Sequence, residues 1–132
     1  MHSRRVLQLF LVCVVAAGLI AAVPKYLQHR TRREVQSTRN TLRREIAQQI
    51  PVGSDPQHVL DFLTSRRIEH TAYESAGNDE TALMVMGAPA IIEARVNVKT
   101  ISLYNYSIHM VFKFDSEGRF VSYSDSVEGT FF

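Results

Sequence analysis

The hydrophobic period changes twice along this chain, and each regime predicts a different element. Positions 6–23 read VLQLFLVCVVAAGLIAAV, 18 residues with Gln8 as the single polar side chain. As a helix rising about 1.5 Å per residue the run is about 27 Å long, close to the hydrocarbon thickness of a bilayer. Between 31 and 49 the apolar positions thin to Val35, Leu42 and Ile46, with Ile50 at the edge, and their spacings of 7, 4 and 4 make one narrow amphipathic stripe. Two prolines and a glycine in IPVGSDP then break the helix, and Asp55-Pro56 is a capping residue followed by the residue best suited to a first helical turn. A second helix is expected there, with Val59, Leu60, Phe62 and Leu63 on its buried face and Arg66-Arg67 at its negative end.

Residues 68–74 suit a short strand or extended link, and 75–81 (SAGNDET) are loop chemistry. Beyond them the period falls to two. Ile92, Ala94, Val96 and Val98 alternate with polar neighbours. Tyr104, Tyr106, Ile108, Met110, Phe112 and Phe114 do the same in a longer strand. Asp115-Ser116-Glu117-Gly118 turns the chain back into a strand over 119–127, with Val121, Tyr123 and Val127 facing inward. The expected fold class is α+β: an N-terminal transmembrane helix, then two helices packed on an antiparallel meander of three or more strands, covering one face. The expected divisions are a basic tail (1–5), the span (6–23), a basic stalk (24–36) and the two-layer domain (37–132).

An uncleaved anchor is favoured over a cleavable signal peptide, whose core is usually about 7 to 15 residues. Ala16-Ala17-Gly18 would suit a cleavage site, whereas the true end at Val23 would not. Charge then adds a segregation that the net value of +2 conceals. Residues 1–50 carry nine basic and two acidic side chains, whereas residues 51–132 carry six basic and eleven acidic. A basic stalk beside a bilayer suggests contact with anionic headgroups, with Arg30, Arg32, Arg33, Arg39, Arg43 and Arg44 as the contact residues. The competing reading is a solvated helix face. Arg4 and Arg5 favour a cytoplasmic N-terminus, while the arginines after the span favour the opposite topology, so the two charge signals conflict. Nucleic acid is not an expected partner, since only Tyr26 offers base stacking near the basic stretch.

The segments IPVGSDPQHVLDFL and FKFDSEGRFVSY resemble motifs of the BamE (SmpA/OmlA) family of small envelope proteins. The resemblance by element order covers about residues 37–128. It implies an extracytoplasmic domain of two helices and three strands, no catalysis, and work through a protein partner in the cell envelope. Members of that family are usually lipoproteins. Here Val12 stands before Cys13 where a lipid site wants a small residue, so a spanning helix takes the place of the lipid.

Chemistry is sparse. The lone Cys13 supplies neither a disulfide nor a paired-cysteine metal site and reads as a small hydrophobe within the span. His2, His29, His58, His70 and His109 form no metal-ligand spacing, no Gly-x-Ser-x-Gly elbow occurs, and the six glycines do not cluster. No cofactor is expected. The possible partner contacts are His109, on the outer face of the long strand, and Phe131 and Phe132 at the chain end. The aromatic alternation of the strands reads first as core. A membrane-anchored extracytoplasmic interaction module is therefore expected. The alternatives are a cytoplasm-facing protein whose basic helix binds anionic lipid and a small enzyme using the scattered histidines.

Overall fold

The computed structural model describes residues 2–100 and 104–131. Helix α1 runs unbroken from His2–Gln49, so the span and the stalk helix are one element of 48 residues. Its length is about 72 Å. Pro24 sits inside it, at the end of the apolar run, and withholds one backbone hydrogen bond without ending the helix. Residues 6–23 pack against nothing in the protein and stay exposed, and this stretch is long and apolar enough to cross a membrane. Packing against the domain begins earlier than the stripe alone predicts, with Thr31 and Val35 buried and then Ile46 and Ile50.

Helix α2 (Pro56–Ser65) starts as its sequence demands: the Asp55 carboxylate accepts the His58 N–H at 2.8 Å, and Pro56 occupies the first turn. Val59, Phe62 and Leu63 bury its inner face. Its C-terminus closes with Ile68 N–H donating to Leu63 O and Arg67 N–H donating to Thr64 O, the paired bonds of a Schellman ending. That ending places Arg67 at φ 55°, the left-handed conformation that ordinarily falls to glycine. His58 is not simply solvated, since its Nε2 donates to the last α1 carbonyl, Gln49 O, at 2.7 Å.

The expected link at 68–74 resolves into two short strands, β1 (Glu69–His70) and β2 (Glu74–Ser75), both antiparallel to β3 (Ala90–Val98). Strand β4 (Tyr104–Phe114) and β5 (Phe120–Phe131) complete the antiparallel sheet in the order β1-β3-β4-β5, with β2 also on β3. Between β2 and β3 lies a helix that the sequence pattern does not announce, α3 (Glu80–Met86), which begins in the expected loop 75–81 and is capped by Asp79 at one end and by Gly87 at φ 64° at the other. It packs on the outer sheet face, where Ile91 is buried and Gly87 lies beside Lys113.

Register puts Ile92 opposite Phe112, Ala94 opposite Met110 and Val96 opposite Ile108, so one face carries every expected inward residue of β3 and β4. Helices α1 and α2 cover that face, and the core forms among Ile46, Val59, Leu63, Ile92, Phe112 and their neighbours. The ring of Phe112 stacks on Tyr123 at 5.8 Å, and Phe114 meets Phe120 at 6.1 Å. One inward expectation fails: the register shifts between Lys113 and Phe114, so Val121 becomes the extra residue of a bulge and is 48% exposed. Strand β5 also continues past 127 to Phe131, whose backbone pairs with Tyr104. Phe132 lies outside the described residues.

The chain leaving α1 pairs back onto β5, with Gly53 N–H donating to Phe120 O and Phe120 N–H donating to Ser54 O, both at 2.8 Å. Arg39 and Arg43 meet Asp125 farther along the same strand, so α1 lies antiparallel to β5. The sheet end carrying Val98 and Tyr104 therefore faces the span, and the turn 115–118 faces away from it.

Candidate functional site

Two polar constellations need separate accounts, one inside the fold and one on its outer face. The inner one begins with register. Tyr123, Asp125 and Val127 pair with Phe112, Met110 and Ile108, which puts a carboxylate on the apolar side of the sheet. Only 3% of the Asp125 side chain is exposed. Such a charge requires partners. The Arg39 Nε donates to Oδ1 at 2.6 Å, and Arg43 donates through Nε to Oδ2 at 2.7 Å and through Nη2 to Oδ1 at 2.8 Å. Arg39 Nη2 also donates to the Asp125 carbonyl at 3.3 Å.

These bonds, from Arg43 first and then from Arg39 with both positive charges, hold the Asp125 carboxyl below its ordinary value, against the opposing pull of burial. The same contact raises Arg43. Burial, and then the Asp125 charge, pushes the neighbouring Tyr123 hydroxyl upward. Arg39 and Arg43, expected at a lipid surface, here form a clasp that fastens α1 onto β5. Arg30 is engaged as well, by Glu34 one turn away at 3.3 Å. Arg32, Arg33 and Arg44 stay exposed on α1, with Arg33 beside Lys25, Tyr26 and His29 on the part nearest the span.

The outer face is polar and open along its middle and its span-facing end. Glu69, Arg95, His109 and Ser126 stand in one cross-strand row. Arg95 Nη2 donates to Ser107 Oγ at 3.3 Å, and neighbouring side chains leave Ser107 only 4% exposed. The expected contact residue His109 does lie on this face. Its Nε2 is 3.2 Å from Glu128 Oε2, but the two are not aligned for a hydrogen bond, and among the described residues that nitrogen has no other partner. Shallow clefts run through the row, one of about 180 Å³ bounded by Glu69, Thr71, Glu93, Arg95 and His109. A larger one of about 450 Å³, toward the span, has Arg95, Asn97, Lys99, Asn105 and Ser107 on its walls.

His58 is tied to Gln49 and His70 to Thr64 and Thr71, so neither joins His109. Among the described residues no three of His, Cys, Asp and Glu gather as metal ligands. The residues that sequence reasoning missed are Asp125 and Arg95. Asp125 had a signal: an acid in phase with Tyr123 and Val127 on an alternating strand must point into the core and find a cation. Arg95 had none, because an arginine on the polar phase of a strand is ordinary.

Comparison of the chain with protein-family models, with characterised proteins and with solved structures finds no match.

Proposed function

We propose that this protein is a bilayer-anchored, non-catalytic contact module on the extracytoplasmic side of the membrane, which offers its outer sheet face to a protein of the cell envelope. The observation that carries this reading is the unequal use of the two sheet faces. The inner face is filled by α1 and α2, whereas the middle of the outer face stays open on a domain joined to the apolar run through a single helix. A free outer face with arginine, histidine, serine and carboxylate side chains suits specific polar contact, because each unsatisfied group favours the partner that completes it. The resemblance of IPVGSDPQHVLDFL and FKFDSEGRFVSY to the BamE family supports the envelope side and a role through protein contact.

The test places a photo-crosslinking residue at Ser124 or Ser126 on the outer face, and at Gln57 or Asp61 on the exposed side of α2, in cells making the full chain. One discrete protein adduct from the β5 positions and none from α2 is the expected result. Equal labelling from both sites, or none from either, overturns the contact role. A reporter fused after Phe132 that is active only in the cytoplasm overturns the envelope side.

A further inference from the structure

The open face ends in a feature of its own, a break in the sheet edge beside the end of α2. Strand β3 pairs with β4 over all nine of its residues, from Ala90 to Val98. On its other side the cover is partial. Thr71 N–H donates to Glu93 O, Glu93 N–H donates to Thr71 Oγ1, and Ala76 N–H donates to Pro89 O. Odd-numbered residues along this stretch thus turn their backbone groups away from β4, as strand alternation requires. Cover stops where Glu69 meets Arg95, because Arg67, the residue that would face Asn97 next, gives its N–H to Thr64 O within the helix ending. Asn97 is next in the alternation. It is exposed, and among the described residues its edge-facing N–H and C=O meet no partner.

This break opens into a notch of about 320 Å³ bounded by Arg66, Arg67, Ile68, Glu69, Arg95 and Asn97. Arg66 is occupied by Glu45. Among the described residues Arg67, Arg95 and the exposed Lys99 just beyond form no ion pair, Arg95 donating only to the neutral Ser107 hydroxyl, and the notch holds the single carboxylate of Glu69. Arg67 is the telling residue. It holds the left-handed position of the helix ending, where glycine would be free of strain and where a side chain is tolerated only at a cost in stability. Strain retained at the rim of an open edge points to use rather than to packing.

We propose that an extended acidic segment of another polypeptide adds here as a short strand, bonding to the Asn97 backbone in line with β1 and setting its carboxylates against Arg67, Arg95 and Lys99. Strand addition supplies main-chain bonds, and the cations select the sequence. This names the partner chemistry for the protein-contact reading above and rests on it.

The test uses the full chain in detergent micelles and three fluorescein-labelled peptides, EVEVTVE, QVQVTVQ and KVKVTVK, read by anisotropy. Saturable binding of the acidic peptide is expected, at least tenfold tighter than either control and weakening as salt rises from about 50 to 500 mM. Asn97→Pro removes the edge donor without removing a bond to β4, and should abolish binding while leaving the amide spectrum of the sheet dispersed. Arg67→Gly separates folding from function, because it should raise the melting temperature yet weaken the acidic peptide about fivefold. The proposal is overturned if the three peptides bind alike, if none saturates, or if Asn97→Pro or Arg67→Gly leaves the acidic affinity unchanged. Should the outer-face adducts at Ser124 and Ser126 persist while these peptides fail, the partner reads the face and not the notch. Loss of both removes the contact role as well.

Discussion

Asp125 shows how one side chain decides the docking of an element. Its carboxylate is nearly sealed, but Arg39 and Arg43 remain 24% and 47% exposed, so water absorbs part of the loss when the contact is broken. Breaking a fully buried pair costs about 3–5 kcal/mol. Asp125→Asn should therefore cost less, about 2 kcal/mol, measured by chemical denaturation of the full chain in micelles. Because the folded carboxyl titrates below its ordinary 3.8, its contribution is complete above that value and is lost as pH falls through the lower, folded one. The stability gap between wild type and Asp125→Asn should thus stay constant from about pH 5 to 8 and close below about pH 4. A gap that widens in acid would contradict the assignment. Arg67 makes the opposite prediction at the same scale. Removing its side chain from the left-handed position at φ 55° should stabilise the fold by about 1 kcal/mol in the same denaturation experiment.

At the scale of elements, α1 joins the apolar run to the core. Ile46 is 1% exposed against the sheet, and Ile46→Ala should cost about 3 kcal/mol by the same measurement, since it removes apolar contact and leaves a cavity between helix and sheet. Continuity of α1 also sets the angular position of the open face. Each inserted residue turns the domain about 100° around the helix. Two alanines inserted between Lys25 and Tyr26 should therefore turn it about 200° and reduce the outer-face adducts, whereas four should leave a net turn of only about 40° and restore them. Equal adduct yields from both insertions would show that the helix does not transmit orientation. The capped start of α2, the turn with Gly118 at φ 73°, and the alternation of β3 and β4 are all legible in the sequence, because each depends on residues a few positions apart. Helix α3 escapes such reading. Seven residues form it between Asp79 and Gly87, too few for a period to show, and Met84 and Val85 face outward at 85% and 82% exposure.

As a whole, the molecule is an apolar helix long enough to cross a membrane, continuing into a small two-layer domain with a third helix on its outer face. Full-length protein should stay in the membrane fraction through an alkaline carbonate wash, and release by that wash would contradict the spanning role of 6–23. Sheet edges are dealt with differently on the two sides. The β5 edge is blunted by Gly53–Ser54 at Phe120 and by Arg39 at the Asp125 carbonyl. The β3 edge is closed by β1 and β2 but, among the described residues, open at Asn97. That asymmetry follows from chain path alone, with no local motif to announce it.

Local causes are written in the chain itself: an oily run long enough to span, a helix begun by Asp55-Pro56 and ended near Arg66, and strands whose aromatic phase faces a core. Periodicity is a property of neighbours, so it is written in neighbours. Only through the tertiary structure do Arg39 and Arg43 come to clasp Asp125, 86 and 82 positions away along the chain. Through it, likewise, one helix replaces two and a break opens beside Arg67. Each of these depends on which groups meet through space once the inner face has closed, and pairing of that kind leaves no period in the chain.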